Sequence, residues 1–252
     1  MQQHGSDAVS LFAAARACLD ATSPDAKLAA TFAAAAAFAR GELSIPVDAA
    51  PADAIRMPGR PARPMLVSTR DLPQRGLGSD EGRAAFVHAI SHIEFNAIDL
   101  AWDAVYRFRG LPREYYADWV GVASDEARHF TMLRGRLQQM GFDYGDFDAH
   151  NGLWEMAEKT ADDGLARMAL VPRVLEARGL AVTPGMITKL RGLGDAATVA
   201  LSPRPRSFLI IPGVTSSPRA SSTRGTSAIR ARPSSAVFPA ISHRPLWASK
   251  SP

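Results

Sequence analysis

Residues 80–109 read DEGRAAFVHAISHIEFNAIDLAWDAVYRFR, and residues 113–140 read REYYADWVGVASDEARHFTMLRGRLQQM. On a 3.6-residue period each run lays down an apolar stripe, the mark of a helix buried on one side. The first stripe is Val87, Ile90, Glu94, Ile98, Ala101 and Val105; the second is Trp119, Ala123, Glu126, Phe130, Leu133 and Leu137. Ser79 caps a helix from about Asp80 to Arg109, Gly110-Leu111-Pro112 turns the chain, and a second helix from about Arg113 to Met140 stops at Gly141. Helices this long with so short a connection predict an antiparallel bundle.

Each stripe carries an acid in its middle. A buried carboxylate is costly unless it is paired, protonated or bound to a metal. Glu94 and Glu126 are spaced so that two antiparallel helices hold them at the same level, and His129 follows Glu126 at i+3 on the same side. A third helix is predicted from about Leu153 to Arg178, with Pro172 inside it, stopping at Gly179. Its stripe of Leu165, Ala169, Pro172, Glu176 and Leu180 turns Glu176 inward as well. Thr183-Pro184 opens a fourth, to about Leu193. The Glu-Ala-Arg-His run alone is ordinary on a solvated helix face. Three inward acids on successive helices, with an imidazole beside one of them, ask for a common cation. Carboxylate oxygen with imidazole nitrogen suits iron or manganese in a bundle core.

The rest of the chain frames this core, residues 80–200. Residues 1–43 are alanine-rich and predict a helical hairpin laid on the larger body. Asp7 caps its first helix through about Leu19, and Ser23-Pro24 starts its second, from Asp25 to about Arg40. Residues 44–79 hold six prolines and read as a linker or extended belt, closed to helices and central strands over most of its length. No convincing strand is visible anywhere, so the fold class is all-α.

Residues 201–252 contain seven Arg, one Lys, twelve Ser and eight Pro, and no acid. They read as a disordered basic tail, or as the product of a shifted reading frame. The rest of the chain then carries a net −4, because the whole chain is +4 and this segment is +8. A nucleic-acid module driven by the tail is the least favoured function, since the tail lacks interleaved aromatics. One cysteine, Cys18, excludes a disulfide framework and a thiolate metal cluster. No apolar run is long enough for a membrane span, and no secretory signal is visible, which predicts a cytoplasmic protein without a membrane partner.

The runs Ser91-His-Ile-Glu-Phe-Asn-Ala-Ile-Asp-Leu-Ala, Ser124-Asp-Glu-Ala-Arg-His-Phe and Leu170-Val-Pro-Arg-Val-Leu-Glu-Ala-Arg-Gly-Leu resemble the DUF455 family of ferritin-like proteins, over about residues 55–199. That resemblance implies a ferritin-like four-helix bundle with a carboxylate-bridged di-metal centre, of iron or manganese. It implies Glu94 as first-helix ligand, Glu126 and His129 as the second-helix pair, and Glu176 as a bridging third-helix ligand. It also sets the family near the di-iron tRNA hydroxylases, so an unassigned small-molecule or RNA substrate and an electron donor are the implied partners. The family pattern needs a second Glu-x-x-His about 30 residues beyond Glu176, and the sequence has none there; Arg206 to Pro212 read Arg-Ser-Phe-Leu-Ile-Ile-Pro. A di-iron oxidase or hydroxylase, impaired in this chain, therefore competes with a non-catalytic metal-binding or structural protein. A missing last helix would also leave apolar faces exposed and favour homo-oligomers.

Other chemistry-bearing residues have plainer readings. His92 reads as a neighbour of the site or a surface residue, and Asp99 and Asp103 as solvated or inter-helix groups. Asp125 points away from the site, and His150 reads as structural. Trp102, Trp119 and Trp154 read as core.

Overall fold

In the computed structural model, which describes residues 9–167, 185 and 187–201, a hydroxyl cap opens each of the first three helices. Ser10 Oγ accepts from the Ala13 N–H at 3.1 Å and starts α1, Leu11–Asp20. Ser23 Oγ accepts from the Ala26 N–H at 3.2 Å and, with Pro24 pre-set for the first turn, starts α2, Pro24–Ala39. Ser79 Oγ accepts from the Gly82 N–H at 3.1 Å and starts α3, Asp80–Arg107. A short turn through Gly110 leads to α4, Arg113–Gln139. Gly141 then leaves the helix at φ 83°, a left-handed conformation that favours glycine.

The long helices α3 and α4 pack along each other, α1 lies on α3, and α2 lies on α4 and α1. One apolar cluster joins all four, including Leu11 and Leu19 of α1, Phe38 of α2, Trp102 and Val105 of α3, and Tyr116 and Phe130 of α4. Helix α3 is therefore central and buried on almost every side. Its buried acids are tied to its neighbours. Asp99 Oδ1 accepts from Lys27 Nζ at 2.5 Å, and the same ammonium donates to the Cys18 and Leu19 carbonyls at the end of α1. Asp103 is held between Arg107 at 2.8 Å and Arg167 at 2.6 Å. The three tryptophans read as core are buried: Trp102, Trp119 and Trp154.

Several expectations need correction. The first helix is capped by Ser10 and not by Asp7, because the Ser10 hydroxyl sits beside the orphan Ala13 N–H; Asp7 lies outside the described residues. The belt holds a strand after all. Leu66–Val67 (β1) pairs in parallel with Ala149–His150 (β2), Leu66 opposite Ala149 and Val67 opposite His150. The period of a two-residue strand is too short to read from sequence.

The third helix is not continuous from Leu153. Helix α5, Glu155–Lys159, ends in a turn at Thr160, and helical backbone resumes only at residue 164. The cause is Asp163, whose carboxylate accepts from the Leu165 and Ala166 N–H groups at 2.9 Å and so begins a new helix in mid-segment. The register shifts accordingly: Leu165, expected inward, is 79% exposed. Of the two readings of Asp99 and Asp103, solvated or inter-helix, the second holds: both are buried and join α3 to other helical segments.

The fourth helix is present at residues 187–192 and leaves through Gly194 at φ 75°. After it, Asp195 caps the short helix Ala196–Ala200 and pairs with Arg136 of α4 at 2.9 Å. The remainder of the predicted third helix, with Pro172, and the basic segment from residue 202 lie outside the described residues. No described helix is long and apolar enough to cross a membrane.

Candidate metal centre

Gly110 lies midway in sequence between Glu94 and Glu126, so the hairpin of α3 and α4 brings the two acids face to face. His129 stands one turn further along α4. Its Nδ1 is 3.2 Å from Glu126 Oε2 and 4.0 Å from Glu94 Oε2. One donor atom from each of the three residues falls within 4.8 Å of the others. Both acids are buried, while His129 keeps about a fifth of its side chain exposed, so the cluster is reached from the histidine side. One turn away along the helices stand Ile98 and Phe130, both fully buried.

The electrostatics of the pair is that of a shared proton. Burial pushes the Glu94 carboxyl well above the usual carboxylate range, and its hydrogen bond to Glu126 and the Glu126 charge push it further; His129 opposes them. Burial raises Glu126 too, but the hydrogen bond from Glu94 pulls it back. Without a cation, Glu94 holds the proton and donates it to Glu126.

The residues fit a cation by contrast with the other buried acids. Five acids are buried among the described residues: Glu94, Asp99, Asp103, Glu126 and Asp195. Asp99 pairs with Lys27, Asp103 with Arg107 and Arg167, and Asp195 with Arg136. No described lysine or arginine pairs with Glu94 or Glu126. They are the two buried acids to which no described residue supplies a permanent positive charge, and they face the His129 imidazole. A hard or borderline cation satisfies such an O,O,N set.

Of the four residues expected at the centre, the structure brings three together; Glu176 lies outside the described residues. His92 is not among the donors. It is buried on another face of α3, with Nδ1 2.9 Å from the Tyr144 hydroxyl and Nε2 3.0 Å from the His150 carbonyl. Burial depresses it to about 3, which keeps the ring neutral. His150 plays its part through that backbone carbonyl and an edge contact with the His92 ring. Asp125 pairs with Arg128 at the surface, away from the cluster. Lys27, Tyr144 and Arg167 are among the polar residues near the core that the sequence reading did not single out. A buried Asp99 signals that some cation must meet it, but nothing in the alanine-rich α2 marks Lys27 as that cation.

The family model described as a protein of unknown function, DUF455, matches residues 20–202, and the chain belongs to that family. An uncharacterized protein of Haemophilus influenzae is 49% identical over 146 residues, covering 55% of this chain and 51% of the relative. The chain thus spans about half the length of that curated relative. No solved structure matches the chain.

Proposed function

We propose that this protein is a ferritin-like metalloprotein that holds iron or manganese between α3 and α4 through Glu94, Glu126 and His129, with Glu176 as a further ligand. The observation that carries the reading is the pair of buried carboxylates, met by a histidine and by no lysine or arginine among the described residues. The metal would supply one-electron chemistry and oxygen activation, as in an oxidase or hydroxylase of a small molecule or RNA served by an electron donor. The chain's own residues set the entry conditions. To hold a cation, Glu94 would release the proton that burial favours on it, and His129 would offer an imidazole nitrogen from beside Glu126. The apolar side chains around them keep competing water out. A cytoplasmic location accords with these chemistries.

One observation favours a second reading, a metal-binding protein without turnover: no second Glu-x-x-His follows Glu176 in the sequence. Elemental analysis of protein purified without chelator tests both. One or two iron or manganese atoms per chain are expected, falling at least tenfold in Glu126→Ala/His129→Ala. Two atoms favour the oxygen-activating reading and one the second. Metal at background level in a wild-type chain with full helical circular dichroism would overturn both.

A further inference from the structure

On the face of α3 turned away from Glu94 lies a cavity of about 340 Å³, roofed by the proline-rich belt and closed at one end by α5. At 100° per residue, His92, Asn96 and Asp99 stand roughly opposite Glu94 around the helix, so the cavity is separate from the metal donors. Its walls are built before any ligand arrives. The Gly59 N–H donates to the Leu19 carbonyl at 2.7 Å, and a Cβ at Gly59 would sit 2.4 Å from the Asp20 carbonyl oxygen, so the belt lies hard against the end of α1. Trp154 Nε1 donates to the Arg56 carbonyl at 2.8 Å and ties the belt to the α5 side. Phe95, Trp154 and the belt prolines make the apolar lining.

The polar groups left over in this cavity carry opposite charges on different walls. Arg56 and Arg60, on the belt, make no side-chain hydrogen bond or ion pair with any described residue. Arg60 lies close enough to His92 and Tyr144 for its charge to be felt by both. Glu158 of α5, an exposed residue of the same lining, likewise has no side-chain partner among the described residues. On α3, Asp99 lines the cavity and is 2% exposed; it spends Oδ1 on Lys27, and Oδ2 has no hydrogen-bond partner among the described residues. Asn96 donates its amide to the His92 carbonyl and keeps its oxygen free for a donor. His92 itself has both ring nitrogens engaged and serves as wall. A preformed pocket with apolar walls and a few convergent polar groups is the usual form of a small-molecule site. Here the groups in want of partners are guanidinium on one wall and carboxylate and amide oxygen on the others.

We propose that this cavity binds a zwitterionic organic molecule of amino-acid or dipeptide size, its carboxylate on Arg60 and Arg56, its ammonium on Asp99 Oδ2, Asn96 and Glu158, and its apolar side chain against Phe95 and Trp154. The inference does not depend on the metal centre. Calorimetric titration of the full chain with L-phenylalanine and with L-alanyl-L-phenylalanine tests it. At least one should bind with a Kd below about 1 mM. Phenylalaninamide, which lacks the carboxylate, and N-acetyl-phenylalanine, which lacks the ammonium, should each bind at least tenfold more weakly. Arg60→Gln, a substitution in a half-buried loop, should weaken the zwitterion at least tenfold and remove its advantage over the amide. Glu126→Ala/His129→Ala should leave the affinity within twofold. Failure of both zwitterions to bind, equal binding of either singly charged analogue, or unchanged affinity in Arg60→Gln would each overturn the proposal.

Discussion

Glu94 is a ligand candidate because it is badly placed for anything else. Its carboxyl is buried, its nearest polar partner is another acid, and its proton affinity is raised by both facts. The folded, metal-free chain therefore keeps a proton on Glu94 at pH values where the unfolded chain has lost it. Over that window the folded state binds more protons than the unfolded one, so this group's contribution to stability falls as pH rises above the ordinary glutamate value. Glu94→Gln keeps the hydrogen bond to Glu126 and removes the titration. In chelator-treated protein it should match wild type near pH 5 and gain on it towards pH 8, because the cost of ionising buried Glu94 grows as pH climbs above the ordinary glutamate value. Urea midpoints at the two pH values check this, and parallel pH profiles for the two proteins would contradict it. The same substitution should lower metal content, because an amide is a poorer ligand than a carboxylate. A residue whose replacement helps the fold and harms binding is one kept for binding.

Lys27 holds three elements together. From α2 it reaches the Asp99 carboxylate on α3 and two carbonyls at the end of α1, and it is wholly buried. Lys27→Ala leaves Asp99 as an uncompensated buried charge and strips a donor from two carbonyls, so it should cost about 3–5 kcal/mol. Adding Asp99→Asn should recover a large part of that loss; no recovery in denaturant unfolding would mean that packing, not charge, is what Lys27 supplies. How far such elements were legible follows from the range of the signal that makes them. The α3–α4 hairpin was legible because its stripes run for about five turns and its caps and glycines lie within a few residues of the helix ends. Glu94, Glu126 and His129 were legible for the same reason, as polar breaks in a long apolar period. The Lys27–Asp99 pair was not, because its partners are far apart in sequence and α2 shows no stripe that singles Lys27 out. Nor was the break between α5 and residue 164, because Asp162-Asp163-Gly164 is too short to outvote the helical period around it until the Asp163 carboxylate is seen capping the next turn.

At the scale of the whole molecule, metal and fold are linked through the α3–α4 contact. The two helices share the hairpin turn and apolar packing on either side of Glu94 and Glu126, which face each other between them. A cation that displaces the shared proton would replace the Glu94–Glu126 hydrogen bond between the helices, and it binds the folded chain far better than the unfolded one, in which the two acids are not brought together. Ligand held at about a hundredfold above its Kd should then add about 2.7 kcal/mol of stability. For a domain of this size that corresponds to a rise in Tm of about 5–10 °C. Manganese is the convenient probe, since it does not oxidise in air on the timescale of a melt. The rise should saturate with metal, release protons as Glu94 ionises, and vanish in Glu126→Ala/His129→Ala. An equal rise in that double variant would place the stabilising cation elsewhere and separate the fold's stability from the centre between α3 and α4.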